Sequence, residues 1–540
     1  MNKLFVQILE KRHLTDDFLH PKYENLTDPY MLNDMKKAVS RIKKAVKNQE
    51  KILIYGDYDV DGVTASTLME DALILAGIKP ENLEIMLPDR FIDGYGMSPR
   101  LIKKAEEDKI TLVVTVDCGS KNHDIINELN TQKIDTIITD HHECDDELPE
   151  AVAVINPKRK DYEGPEKLKN LAGVGVAFKL AEALKNANLI KNGQEKWLLD
   201  LVLLGTICDQ MLLTGENRIL GYYGVKVLEK TRRPGLIEIM KNAGVNKITS
   251  ESIGFQIGPR LNAAGRLETA ELSLNVLRTK EKTEAAALAK KLEKLNKNRR
   301  DEQKIAVEEI AKTIDKDTSV IIETGHWHEG IIGIVAGRLV EKYHKPAFVL
   351  TEVENGIYKG SGRSFGDFSL AKALDAARDT IISGGGHAAA AGVRVNQKDL
   401  YKFREKINAY YDGLHLKNQN KFFNTTTDLE ADDLKDFTLD FLDDLKLLEP
   451  FGAGNEEPVF KLKNATILEV KRMGDKNQHL RLDLRDKNNR TIKCVAFFAP
   501  EKWLNGLYRD EKYDFLIKPV ENEWNGTRSV EARICDIIES

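Results

Sequence analysis

Cysteine is scarce in this sequence. Five residues among 540 (Cys118, Cys144, Cys208, Cys494, Cys535), an odd number with no C-x-x-C pair, exclude a disulfide scaffold and a cysteine-ligated zinc finger. Long hydrophobic runs are missing too. The most apolar window, Trp197 to Leu213, is interrupted by Asp200 and Asp209, which predicts a buried helix rather than a membrane span. The opening MNKLFVQILEKRHL holds too short an apolar stretch for a signal-peptide core. A cytoplasmic protein with no membrane association is expected. Positive charge is not in excess: 81 Lys and Arg stand against 86 Asp and Glu, a net charge of −5. Binding to nucleic acid would therefore need a local basic groove. No G-x-x-x-x-G-K-[ST] is present, and no G-x-G-x-x-G follows a strand, so a P-loop ATPase and a nucleotide cofactor are not expected. The absence of H-E-x-x-H and G-x-S-x-G removes zincin proteases and α/β-hydrolases.

What is present suffices for several cores. Hydrophobic residues make up 41% of the chain and charged ones 31%, and the length corresponds to three or four domains at about 150 residues each. In residues 1–215, the runs KILIYG, LEIML, TLVVTVD, DTIIT and AVAVIN read as buried strands. Between them, VTASTLMEDALILAG and SPRLIKKAEED read as helices. This alternation predicts an α/β doubly wound parallel sheet. Residues 216–315 read as a helical connector ending in one long helix, Thr283 to Ile314. Its Lys290, Lys291, Lys294, Lys297, Arg299 and Arg300 form either a solvated face or a phosphate-tracking surface. A second α/β pattern occupies 316–415. Residues 416–454 form an acidic connector bearing Asp428, Glu430, Asp432, Asp433, Asp436, Asp440, Asp443, Asp444 and Glu449. Five short strands within 455–540 predict a small β-barrel of the OB type.

The chemistry concentrates near the N-terminal sheet. YGDYDVDG places Asp57, Asp59 and Asp61 at alternate positions after an apolar strand and before a helix. In an extended segment alternate side chains share a face, so three carboxylates would converge at a strand's carboxyl end, the edge where open α/β sheets bind ligands. Asp117 in TVDCGS, the Asp140-His141-His142 triplet in TDHHE and Asp209 in LLGTICDQ follow further apolar segments. Such like charges repel unless a cation sits among them. Mixed carboxylate and imidazole donors favour Mn²⁺ or Mg²⁺ over structural zinc. Six or seven ligands exceed what one open metal site needs. Two divalent cations about 4 Å apart, suited to in-line phosphoryl displacement, are therefore expected.

D-x-D-x-D-G, a strand-end Asp, D-H-H and a distal Asp, in that order, resemble the DHH phosphoesterase superfamily. HWHEGIIGIVAGRL, GSGRS and SGGGHAAAAG resemble its glycine-rich C-terminal domain. GPRLNAAGRL and LEPFGAGNEEPVF resemble the RecJ family of single-strand-specific 5′→3′ DNA exonucleases. The resemblance runs over about residues 40–540. It implies a phosphoesterase domain over 1–215, the GGGH domain over 316–415 and a nucleic-acid-binding OB domain over 455–540.

By matching position the resemblance puts metal ligands at Asp57, Asp59, Asp61, Asp117, His141 and Asp209, with Asp117 bridging. It places His142 beside the scissile phosphate and Asp140 behind the histidines. It assigns phosphate binding to Arg90, Arg260, Ser361, Arg363, Gly385, Gly386 and His387. After Asp209 the sequence departs from the family's usual Pro-containing stretch: here it reads Gln210-Met211-Leu212-Leu213. Glycines let backbone approach a phosphate and Arg363 offers it a bidentate fork. Trp327, Phe365 and Phe368 in the second domain are candidate base-stacking residues, as are Phe497, Phe498, Trp503, Tyr508 and Trp524 in the barrel.

The resemblance implies an enzyme that degrades single-stranded DNA from the 5′ end to mononucleotides, in recombination and repair. A strand threading between the two α/β domains would exclude duplex, and a helicase or single-strand-binding protein would be its protein partner. A DHH oligonucleotide phosphodiesterase acting on short RNA or DNA is the alternative activity. A non-catalytic single-strand-binding scaffold and an RNA-directed nuclease are further alternatives.

Overall fold

The computed structural model describes residues 1–538 apart from positions 95, 316, 418 and 432; Asp432 of the acidic connector thus lies outside the described residues. The N-terminal sheet contains β1 (Ile52–Tyr55), β2 (Leu83–Met86), β3 (Leu112–Val116), β4 (Asp135–Thr139) and β5 (Ala153–Ile155). All neighbours are parallel, in the order β2-β1-β3-β4-β5. β1 and β3 are buried along their whole length, as covering a sheet on both faces requires. From β1 the chain steps outward to β2, then crosses back to β3. The gap between the carboxyl ends of β1 and β3 is therefore the topological switch point, where an open α/β sheet forms its ligand crevice.

Helices Val60–Leu75, Gly173–Asn186 and Leu199–Cys208 pack together beside this crevice. The last comes from the apolar window. Its Asp200 is buried but satisfied, accepting from Thr231 Oγ1 at 2.7 Å and Arg233 Nε at 3.2 Å. No helix among the described residues is long and apolar enough to cross a membrane.

The long helix runs Lys282–Thr313, 32 residues and about 48 Å. Ala289, Leu292 and Leu295 lie in the N-terminal core, while Ala306 and Ile310 lie in the core of the next domain. One rigid rod thus spaces the two domains. The second sheet contains β6 (Ile321–Gly325), β7 (Ala347–Glu354), β8 (Ile357–Arg363), β9 (Ser383–Gly386) and β10 (Ala390–Asn396), in the order β6-β7-β8-β10-β9. The glycine triplet, expected as a phosphate loop, forms the edge strand β9, paired to β10 from Ser383 to Gly386.

The C-terminal sheet contains β11 (Leu429–Ala431), β12 (Phe460–Met473), β13 (His479–Arg485), β14 (Thr491–Ala496), β15 (Lys512–Trp524) and β16 (Thr527–Ile538). Its order is β11-β12-β13-β14-β16-β15, and pairing of β12 with β15 closes the barrel. The acidic stretch does not stand apart from it: Leu434, Phe437, Phe441, Leu445 and Leu448 share one core with Phe460, Leu482 and Phe515. Leu4, Phe5 and Ile8 join the same core, so the first residues pack against the C-terminal unit rather than the N-terminal sheet they were expected to accompany. An amphipathic sequence rich in acids reads as solvated because its buried partner lies far along the chain.

Candidate active site

The D-x-D-x-D-G segment does not stay extended. Asp57 follows β1 after one residue, Gly56, and Asp59 caps the helix Val60–Leu75, its Oδ1 accepting from Gly62 N at 3.1 Å. Asp61 lies in that helix's first turn. A strand end, a cap and a first helical turn bring the three carboxylates together, not the period-2 alternation expected. The final glycine has a steric reason: a β-carbon on Gly62 would lie 2.4 Å from the carbonyl oxygen of Asp57.

Asp117 ends β3 at φ +62°, a backbone state costly for most residues but accessible to Asp. Asp209 follows the helix Leu199–Cys208. His141 and His142 follow β4. His141 Nε2 lies 3.1 Å from Asp117 Oδ1, 3.6 Å from Asp209 Oδ2 and 3.8 Å from Asp61 Oδ2. Candidate ligand atoms group as Asp57, Asp59 and Asp117; as Asp61, His141 and Asp209; and as Asp117, His141 and His142. Asp117 belongs to two of these groups.

Asp61 is fixed by the N-terminus of the helix Gly173–Asn186: Gly173 N donates to its Oδ2 at 2.7 Å and Val174 N to its Oδ1 at 2.9 Å. Asp140 lies behind the histidines. Its Oδ1 accepts from His141 N at 2.7 Å and His142 N at 3.1 Å, and lies 2.9 Å from His142 Nδ1. Its Oδ2 accepts from Ser120 N at 3.0 Å. Asn156, not singled out in the sequence, donates from one amide nitrogen to His142 O and Ser120 Oγ, both at 2.9 Å.

Electrostatically the pocket is crowded with carboxyl groups. Burial, then Asp59, pushes Asp57 up to about 8. Burial, then Asp59, pushes Asp209 up to about 6. Burial and neighbouring carboxylates hold Asp61 and Asp117 well above the usual range. Burial, then His142, drives His141 down to about 3, so its imidazole is neutral. His142 moves the other way: burial opposes its charge, but Asp140 outweighs burial and raises it. Asp57 Oδ1 is buried with no hydrogen-bond donor. An unpartnered buried carboxylate oxygen, a neutral imidazole and carboxylates pressed toward protonation are the donor set a hard divalent cation stabilises. The residues present fit such ions.

Beside the acids stands a group of guanidinium ions. Arg90 lies 5.0 Å over the ring of Tyr58, within the acidic motif. Burial, then the charges of Arg90, Arg299 and Arg363, pushes Arg266 down to about 9. Burial and Arg90 likewise lower Arg363. Arg363 Nη1 donates to Ser361 Oγ at 3.2 Å. A β-carbon on Gly333 would meet Ser361 Oγ at 3.0 Å and Arg363 Nη2 at 3.1 Å, so this pair lies against the start of the helix Ile332–Tyr343. Strand register sets Arg363 opposite Ala390, whose carbonyl accepts from His387 N at 2.8 Å. Gly385, Gly386 and His387, all exposed, thus lie at the sheet edge, with β10 between them and Arg363.

Arg260 is held by the long helix. Its Nε donates to Glu293 Oε2 at 2.5 Å and its Nη1 to Gln256 O at 2.7 Å, which binds the long helix. Arg266, the second arginine of GPRLNAAGRL, lies among the guanidinium ions. The signal that could have found it is its six-residue offset from Arg260, which carries it to the helix C-terminus. The stacking candidates divide likewise. Phe368 and Trp503 are buried core residues. Trp327 donates to Glu309 Oε2 at 2.8 Å, and Phe365 packs on Phe423. Phe497, Phe498, Tyr508 and Trp524 are exposed.

Residues 51–206 match the DHH family, N-terminal domain; residues 317–413 the DHHA1 domain; and residues 427–536 the RecJ OB domain. The single-stranded-DNA-specific exonuclease RecJ of Bacillus subtilis strain 168 is 35% identical over 529 residues, 96% of this chain but only 65% of that relative's length. The RecJ of Haemophilus influenzae is 31% identical over 545 residues, covering 96% of this chain and 92% of the relative. The crystal structure of Thermus thermophilus RecJ in complex with Mn²⁺ superposes with a TM-score of 0.83 at 26% identity, over all of this chain and 76% of that one. The family match spans the acidic pocket, the GGGH sheet and the barrel together, and the chain belongs to the RecJ family of DHH phosphoesterases.

Proposed function

We propose that this chain is a single-stranded-DNA-specific 5′→3′ exonuclease, hydrolysing phosphodiesters with two divalent cations, Mn²⁺ or Mg²⁺. It releases 5′-mononucleotides and acts in DNA recombination and repair in the cytoplasm. One observation carries this reading: Arg90 adjoins both fields, acting on Asp57 in the acidic pocket and on Arg266 and Arg363 in the cationic one. A chain of phosphates reaching that junction can set one phosphate at the acids while the next is held by guanidinium forks.

Asp57, Asp59 and Asp117 would hold one cation, and Asp61, His141 and Asp209 the other, with Asp117 between them. Cations held by these residues would supply Lewis-acid chemistry, activation of a water and stabilisation of charge on the phosphate oxygens. The protein's own part is orientation. Gly173 and Val174 fix Asp61, and Asp140 fixes both histidine amides and the His142 ring, which would position the scissile phosphate. Arg90, Arg266, Arg363 and Ser361 would grip the terminal phosphate, with Gly385, Gly386 and His387 at the sheet edge. Gripping a 5′-phosphate makes that end the point of attack. The exposed lysines of the long helix and the aromatic residues of the barrel would hold the incoming strand.

End-labelled single strands test the reading. With Mn²⁺, a 5′ label should appear at once as mononucleotide, a 3′ label only at the end of digestion, and EDTA should stop both. Release of the 3′ label first, or cleavage in EDTA, would overturn it. A substrate preference for dinucleotides over long strands would favour an oligonucleotide phosphodiesterase instead.

A further inference from the structure

The motif LEPFGAGN contributes no residue to the acidic pocket, yet it leans on it. Leu213 N donates to Ala453 O at 2.7 Å, four positions after Asp209. Two glycines let the turn lie flat on that loop. A β-carbon on Gly452 would come 2.6 Å from Leu213 Cδ1, and one on Gly454 would come 3.1 Å from Leu212 Cδ2. The turn is internally braced: Gly452 and Asn455 exchange two backbone hydrogen bonds of 3.0 Å. The buried Asn455 amide donates to Leu448 O at 2.8 Å and Pro450 O at 3.0 Å.

Its base is anchored on both sides. Leu448 lies in the C-terminal core. The buried Arg218 donates to Leu447 O, Leu448 O, Glu449 O and Phe18 O at 2.7–3.0 Å. The loop needs such support, because Gln210 leaves the helix at φ +57°. From the opposite side Asn217 Nδ2 donates to Leu212 O at 3.0 Å and to Asn170 O at 2.5 Å. Asn170 lies three residues before Gly173, one of the two backbone donors to Asp61.

We propose that the LEPFGAGN turn is a positioning strut, through which the seating of the C-terminal domain sets the Asp209 side of the metal site. The inference rests on Asp209 being a metal ligand, as read above. A ligand on a loop holds its geometry only if neighbouring groups lock it. Coupling between two sites is reciprocal. A seated turn that favours the metal-ready loop is therefore itself favoured by metal.

Hydrogen–deuterium exchange on the full chain, with and without MnCl₂, tests this. Manganese should slow exchange in peptides covering Leu213 and 448–455 at least about fivefold, the low end of allosteric couplings. Gly452→Val should weaken Mn²⁺ binding by a similar factor in calorimetry. Asn455→Ala, which loosens the turn without touching the loop, should shift Mn²⁺ affinity in the same direction. Protection by Mn²⁺ at Gly173 and Val174 with none at 448–455 would overturn the strut while leaving the metal site standing. So would unchanged Mn²⁺ affinity in both variants. No protection at Gly173 and Val174 would overturn the metal reading, and the strut with it.

Discussion

Asp117 and Gly173 approach so closely that no side chain fits between them: a β-carbon on Gly173 would lie 2.4 Å from Asp117 Oδ1. The helix start that holds Asp61 through its amides therefore also walls in Asp117. Gly173→Ala should displace the shared carboxylate and weaken Mn²⁺ binding about 10–100-fold, as changes around metal ligands do. The helix itself should survive, since alanine is the better helix former. Circular dichroism with Mn²⁺ calorimetry checks this, and an unaltered Mn²⁺ affinity would refute it.

Asp117→Asn keeps a residue type that tolerates φ +62° while removing the charge between the two ligand groups. Activity on single strands should fall about a thousandfold, a loss of several kcal/mol of transition-state stabilisation. Near-normal Mn²⁺-dependent hydrolysis would sink the bridging assignment.

The metal-free protein should lose stability as pH rises. Burial and Asp59 hold Asp57 up to about 8 and Asp209 up to about 6, above their unfolded values. A carboxyl raised on folding stabilises the fold below its unfolded pKa and loses that contribution as pH passes the folded one. Heat denaturation in EDTA should thus begin at lower temperature at pH 8 than at pH 5. Mn²⁺ favours the ionised carboxylates, so its stabilising effect should be larger at pH 8. Asp57→Asn should flatten both trends; a metal-free Tm independent of pH would count against the crowded pocket.

The two arginines of GPRLNAAGRL should separate. Arg266→Ala and Arg363→Ala should raise KM for 5′-phosphorylated single strands more than they lower kcat. Arg260→Ala removes a partly buried contact to Glu293 on the long helix; it should lower stability but leave KM within about twofold, since this contact holds helix to helix. Steady-state kinetics on 5′-phosphate and 5′-hydroxyl substrates decides; equal effects of Arg260 and Arg266 would merge their roles.

Affinity for single strands should fall steeply with salt. Each phosphate contact that releases a counterion adds about 0.7 to the slope of log K against log salt. Lys294→Glu on the exposed face of the long helix should lower that slope. A flat response would exclude a phosphate-tracking path along this helix.

Much of this molecule follows from local sequence. The buried strands of the N-terminal sheet, the long helix and the closing barrel are written in short-range patterns, because the period of apolar residues reports which faces must leave water. The acidic residues, too, are visible as a set, since like charges at strand ends demand a common explanation. Tertiary structure decided what those patterns do not encode. It brought Asp57, Asp59 and Asp61 together by a strand-to-helix turn rather than by alternation. It placed Arg266 among the guanidinium ions, because only the packing of the helix Gly258–Leu267 determines which face of the motif meets Arg90. It also placed Leu4 in one core with Phe460 and bonded Leu213 to Ala453, pairings of residues hundreds of positions apart for which no local periodicity exists.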